Sequence, residues 1–208
     1  MNMPTSRLTI SGDIGGISML STINRSADGQ VGHDVTLPAA TAGTVSSYTA
    51  GPPEQWTLNL PGHGLAVSDI IDVYWDAGRR YGMQVVDVTG DDVTIQDGST
   101  AGGDNIPTTQ GYAVTASRQT TIDTDFDGDL LTLIGALAKA RAHLGFFDAG
   151  GALVLSVDLT DSELWYWASG GTASNPLAGK VIDYVVATQA DSSAAANLKL
   201  GLIYDSTA

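Results

Sequence analysis

Four aspartates at alternate positions, Asp123, Asp125, Asp127 and Asp129, form the segment with the clearest chemical promise. Carboxylates at loop positions 1, 3 and 5, Gly128 at position 6, an oxygen donor at 7 and Leu130 at 8 follow the first part of an EF-hand calcium loop. The pattern suits hard Ca²⁺, which takes about six to eight oxygen ligands. Position 12 is Ile134, where an EF-hand supplies a bidentate glutamate, so the spacing predicts at most weak Ca²⁺ binding. An acidic Asp-Gly turn in solvent is the other reading of the same residues. Mutual repulsion of crowded carboxylates favours a cation.

Other chemistry finds less support. His33, His63 and His143 lie outside helical or hairpin spacing of one another, which argues against a zinc triad. Gly62-His63-Gly64 stands near Asp69, but no serine occupies a G-x-S-x-G context and the glycines mark a turn. Neither G-x-G-x-x-G nor a P-loop occurs, so no nucleotide cofactor is expected. The sequence therefore predicts no catalytic residues, no cofactor other than calcium, and a protein that is not an enzyme. Trp165 and Trp167, flanking Tyr166, share one face if the segment is a strand. There they fill a core between sheets, anchor an interface or stack on a sugar. Arg79-Arg80, read as a turn between Trp75 and Tyr81, is the densest basic point, and is either an interface contact to an acidic patch on another copy or a solvated turn.

The elements that must position these residues read as strands. Trp56, Leu58 and Leu60 alternate with polar residues, as do Ile71, Val73 and Trp75, then Tyr81, Met83 and Val85, then Val93 and Ile95. Turns at Pro61-Gly62-His63-Gly64, Asp76-Ala77-Gly78, Gly90-Asp91-Asp92 and Asp97-Gly98 close each run. That pattern predicts a small barrel of SH3 or OB size within residues 46–118. Residues 1–45 supply N-terminal strands of a sandwich, and residues 119–208 a C-terminal sandwich unit, with Asp148-Ala149-Gly150-Gly151 as a hairpin turn. Ala39 to Pro53 reads as a linker or extended arm. Residues 130–142 remain open between a helix, from Leu130, Leu133, Ile134 and Leu137, and a buried strand, since Gly135 weakens a helix. The fold expected is mainly β: an antiparallel sandwich with a small barrel module and at most one helix.

Composition agrees. The 208 residues carry nine Lys and Arg against 23 Asp and Glu, a net charge of −14, and no cysteine. That acidity repels phosphate backbones and argues against nucleic-acid binding, so no sequence-specific nucleic acid is expected as a partner. Glu54 and Glu163 are the only glutamates, and 25 glycines exceed the usual ~7%. Aspartate and glycine in place of glutamate favour tight turns over helices. The longest apolar stretch, Leu130 to Ala138, falls far short of the ~20 residues a bilayer needs, and the N-terminus lacks the basic and apolar regions of a leader.

The run Gly62-His63-Gly64-Leu65…Ser68-Asp69…Asp72-Val73-Tyr74-Trp75…Arg80-Tyr81-Gly82, with Asn175-Pro176-Leu177-Ala178-Gly179 and Leu202-Ile203-Tyr204-Asp205, resembles virion structural proteins of tailed bacteriophages. The resemblance implies a non-enzymatic virion component, with capsid decoration or cement first and a tail tube or other tail protein second. It implies a homo-oligomer whose partners are the major capsid protein or tail proteins, with no membrane. An extracellular carbohydrate-binding or calcium-dependent module is the reading from a different class.

Overall fold

The computed structural model describes residues 5–14, 17–26, 29–76, 78–123, 130–160, 164–168 and 182–205. In chain order the strands begin β1 (Thr5–Ile14), β2 (Ile17–Ser26), β3 (Gly29–Leu37), β4 (Thr41–Thr49), β5 (Gln55–Asn59), β6 (Ile70–Trp75), β7 (Gly78–Thr89) and β8 (Asp92–Gly103). They continue β9 (Ala113–Arg118), β10 (Thr120–Asp123), β11 (Leu130–Ala138), β12 (Ala142–Phe147), β13 (Leu153–Leu159), β14 (Leu164–Ala168), β15 (Tyr184–Gln189) and β16 (Ala196–Asp205). No helix occurs among the described residues.

Strands β4-β5-β8-β7-β6-β9 close into a barrel. Its interior is filled by the apolar members of each alternating strand, among them Val45, Leu58, Ile71, Val73, Met83, Val85, Val93 and Ile95, all fully buried. Closure removes the exposed edges that an open sheet leaves. Two four-stranded sheets, β10-β15-β12-β13 and β14-β11-β16-β3, contribute jointly to a second core that includes Leu37, Ala136, Leu144, Phe146, Val185, Leu198 and Leu200. This is the sandwich, antiparallel like the barrel, and β3 joins it by pairing with β16 across Leu37↔Ala196 to Gly29↔Tyr204. Strands β1 and β2 form a two-stranded sheet of their own.

One segment departs from its sequence reading, and one left open between two readings takes the second. Ala39 to Pro53 is not a linker, because Thr41–Thr49 is barrel strand β4, paired with both β5 and β9. Its small residues are needed there: a Cβ on Gly43 would sit 2.0 Å from the Asn59 carbonyl oxygen. Residues 130–138 are strand β11, flanked on both sides by β14 and β16. A strand with neighbours on both sides in a packed sandwich tolerates a continuous apolar run, which removes the periodicity that separates strand from helix. Ala136 and Ala138 are fully buried in that core.

Candidate functional site

Strand β6 points Ile71, Val73 and Trp75 into the barrel and so points Asp72 and Tyr74 outward. Strand β12 likewise gives Ala142, Leu144 and Phe146 to the sandwich core and turns His143 the other way. The outward faces meet, for Asp72 is 0%, Tyr74 2% and His143 2% exposed. The barrel therefore packs against the outer face of the β10-β15-β12-β13 sheet, and the seam between them is polar.

Asp72 is the centre of that seam. Its Oδ1 accepts the Gly82 N–H at 3.1 Å and the Gln119 amide at 3.2 Å. Its Oδ2 accepts the Thr188 hydroxyl at 2.5 Å and the Nδ1–H of His143 at 2.7 Å. The Tyr74 hydroxyl lies 2.6 Å from Thr188 Oγ1, and since the Thr188 proton goes to Asp72, Tyr74 donates. With Nδ1 donating, His143 Nε2 is left to accept the Ser156 hydroxyl at 2.9 Å. Gly82 reaches Asp72 because its φ of 70° bends β7 at a bulge between Tyr81 and Met83.

Charged groups close the seam. Arg79 is 7% exposed, pairs with Asp158 on β13 and lies 4.9 Å from the Tyr81 ring centroid. Tyr81 in turn packs on His143 with centroids 4.5 Å apart. Arg141 donates to the carbonyls of Trp75 and Gly78, 3.0 Å each, and covers the Tyr74 ring. Burial, followed by the Asp72 charge, raises the Tyr74 pKa, whereas burial lowers that of Arg79.

Of the residues singled out from sequence, Arg79 lies in the seam and the others lie away from it or outside the described residues. Arg79 and Arg80 stand on strand β7 and not on a turn. Arg79 is buried within the chain as described, and Arg80 holds Asp97 on the neighbouring strand at 2.5 Å. Trp165 pairs with Ala136 and packs partly buried against the sandwich core. Trp167 pairs with Ile134 in the same strand β14. Asp123 ends β10, and the calcium reading falls on Asp125, Asp127 and Asp129, which lie outside the described residues. His63 and Asp69 serve turns: His63 Nδ1 accepts the Leu65 N–H at 2.7 Å, and Asp69 accepts the Ala66 N–H at 2.7 Å.

The assembly of Asp72, His143 and Ser156 was not among the candidates read from sequence. Asp72 and His143 are 71 residues apart, and only the docking of barrel on sheet unites them. One signal was available: each is a lone ionisable residue inside an otherwise apolar strand core, Ile71-Asp72-Val73 and Ala142-His143-Leu144. Chemically the three form a hydroxyl, imidazole and carboxylate in hydrogen-bonded series. No protein-family model matches the chain, and comparison with curated proteins and with solved structures finds no match.

Proposed function

We propose that the chain is a virion structural protein of the capsid decoration or cement kind, acting by assembly into a homo-oligomer on a larger particle. The observation that carries the reading is the β1–β2 ribbon. Its register sets Leu8 opposite Ile23, Ile10 opposite Ser21, Gly12 opposite Met19 and Ile14 opposite Ile17. Positions opposite each other belong to one side of the ribbon, so the register groups Leu8, Ile10, Ile14, Ile17, Met19 and Ile23 with Gly12 and Ser21, and with Ser6 and Arg25 at the open end. The other side groups Thr5 with Ser26, Arg7 with Asn24, Thr9 with Thr22, Ser11 with Leu20 and Asp13 with Ser18, so it is polar but for Leu20.

A lone two-stranded ribbon is marginal in water, and an amphipathic one gains stability when its apolar face is covered. β1 and β2 pair with each other and with no other described strand. Burying one Leu, Ile or Met removes roughly 60–120 Å² from water at the usual transfer coefficient. The six apolar residues of each of two facing ribbons together give ~700–1,400 Å², which reaches the ~1,000 Å² of a specific interface. A second copy of the chain supplies such a face at the right length. The net charge of −14 also favours a role that avoids sticking to packaged nucleic acid.

The test replaces Leu8 and Ile23, which face each other, with aspartate and compares solution masses by light scattering. The expected result is an oligomer for the unaltered chain and a monomer with an unchanged circular dichroism spectrum for the double variant. An oligomer that persists in the double variant would remove the ribbon as the contact.

A further inference from the structure

We infer that Ser156 is an activated nucleophile, the hydroxyl end of a Ser156–His143–Asp72 relay that accepts acyl or phosphoryl groups from activated esters. This chemistry goes beyond assembly and is independent of it. The geometry meets the requirements for such a group: nucleophile to base at 2.9 Å, base to orienting acid at 2.7 Å. Burial is graded in the useful direction. Asp72 and His143 are buried, whereas Ser156 on β13 is exposed and open to a reactant.

The surroundings hold the base in its working form. Asp72, held by Gly82, Gln119 and Thr188, accepts the Nδ1–H of His143 as a carboxylate and so directs the Nε2 lone pair at Ser156. Tyr81 packs on the imidazole at an interplanar angle of 32° and restricts the ring's rotation. Asp158, two residues beyond Ser156 on the same side of β13, has its charge offset by Arg79. β13 is an edge strand of its sheet, so alternate N–H groups point away from its single neighbour. Either the N–H of Ser156 or those of Leu155 and Val157 thus face away from β12. A cleft of about 580 Å³ lined by Tyr81, Gly151 and Leu153 opens at the start of the same strand.

With an ester, Ser156 Oγ attacks the carbonyl carbon while its proton passes to His143 Nε2. The bond from that carbon to the alkoxide oxygen breaks, and the departing alkoxide takes the proton from Nε2. Water then attacks the acyl-serine, giving one proton to Nε2, and the carboxylic acid leaves as Ser156 recovers its hydrogen. Ester and water become acid and alcohol, with no oxidant or further reactant. Asp72 acts here as a positioning residue.

The experiment treats the folded chain with diisopropyl fluorophosphate, in which the P–F bond breaks, a bond from phosphorus to Ser156 Oγ forms, and fluoride leaves with the hydroxyl proton. Intact mass and peptide mapping read the product. One label on Ser156 is expected, none on Ser156→Ala, and labelling of Ser156 should outpace that of the exposed Ser99 and Ser192 by at least ~100-fold. Asp72→Asn donates to Nδ1 and so reverses the tautomer of His143, and should slow labelling by ~100-fold or more. Labelling of Ser156 no faster than Ser99 or Ser192, or an Asp72→Asn variant that folds and labels at the unaltered rate, would overturn the assignment. The comparison among serines of the unaltered chain decides the matter even where the Asp72 variant does not fold.

Discussion

Replacing Asp72 with alanine should be the most damaging polar substitution at the seam. The side chain is wholly buried and accepts from Gly82, Gln119, Thr188 and His143. Removing it strands the buried Gly82 N–H, the Thr188 hydroxyl and the His143 Nδ1–H, each at a cost of ~1–3 kcal/mol. Thr188 retains its contact to Tyr74, and Gln119 is only part-buried and reaches water. The net loss is then about 3–5 kcal/mol, at the upper end for single substitutions. Asparagine should cost only ~1–2 kcal/mol, because its oxygen still serves Gly82 and Gln119 while its amide donates to a rotated Thr188 hydroxyl and a reversed imidazole. Urea unfolding followed by tryptophan fluorescence measures both, and at a slope near 2–3 kcal/mol/M the alanine midpoint should fall by ~1–2 M. An alanine variant within ~1 kcal/mol of the parent, or an asparagine variant as damaged as the alanine one, would refute the reasoning.

Three further outcomes follow from the same contacts. Gly82→Ala should destabilise by ~2 kcal/mol or more, read as a fall in Tm, since φ is 70° and a Cβ would stand 2.8 Å from the Thr100 backbone. Arg79→Glu should cost ~2–3 kcal/mol, because a carboxylate would stand unpaired at a buried position beside the exposed Asp158, whereas Arg80→Glu should cost ~1 kcal/mol, both from urea midpoints. Tyr74 has its pKa raised above that of a free phenol by burial first and by Asp72 second. The folded state then keeps a proton that the unfolded chain releases, so stability is full below pH ~10 and falls above it by ~1.4 kcal/mol per pH unit. Tyr74→Phe should flatten that alkaline loss in a pH series of thermal melts, and an unchanged slope would exclude Tyr74 as its source.

The barrel strands were legible because each is half-buried: Trp56, Leu58 and Leu60 face inward and the polar residues between them do not. The β12–β13 hairpin was legible from Asp148 to Gly151, whose backbone closes the turn with Gly151 donating to the Asp148 carbonyl at 2.9 Å. β4 was hidden because close approach at Gly43 demands the same small residues that a linker uses. The seam was hidden for a different reason. Alternation in Ile71-Asp72-Val73-Tyr74-Trp75 says that Asp72 and Tyr74 leave the barrel interior, and it contains nothing about a second sheet waiting outside. Arg79 was misplaced on the same account, since a basic residue beside Asp76-Ala77-Gly78 reads as part of a turn, solvated or in contact with another copy, until Asp158 and Tyr81 are brought over it.

Sedimentation equilibrium of the purified, unaltered chain across the micromolar range tests assembly most directly. A mass of two or more times 21.4 kDa that persists on dilution is the predicted result, and a single 21.4 kDa species at every concentration would contradict it.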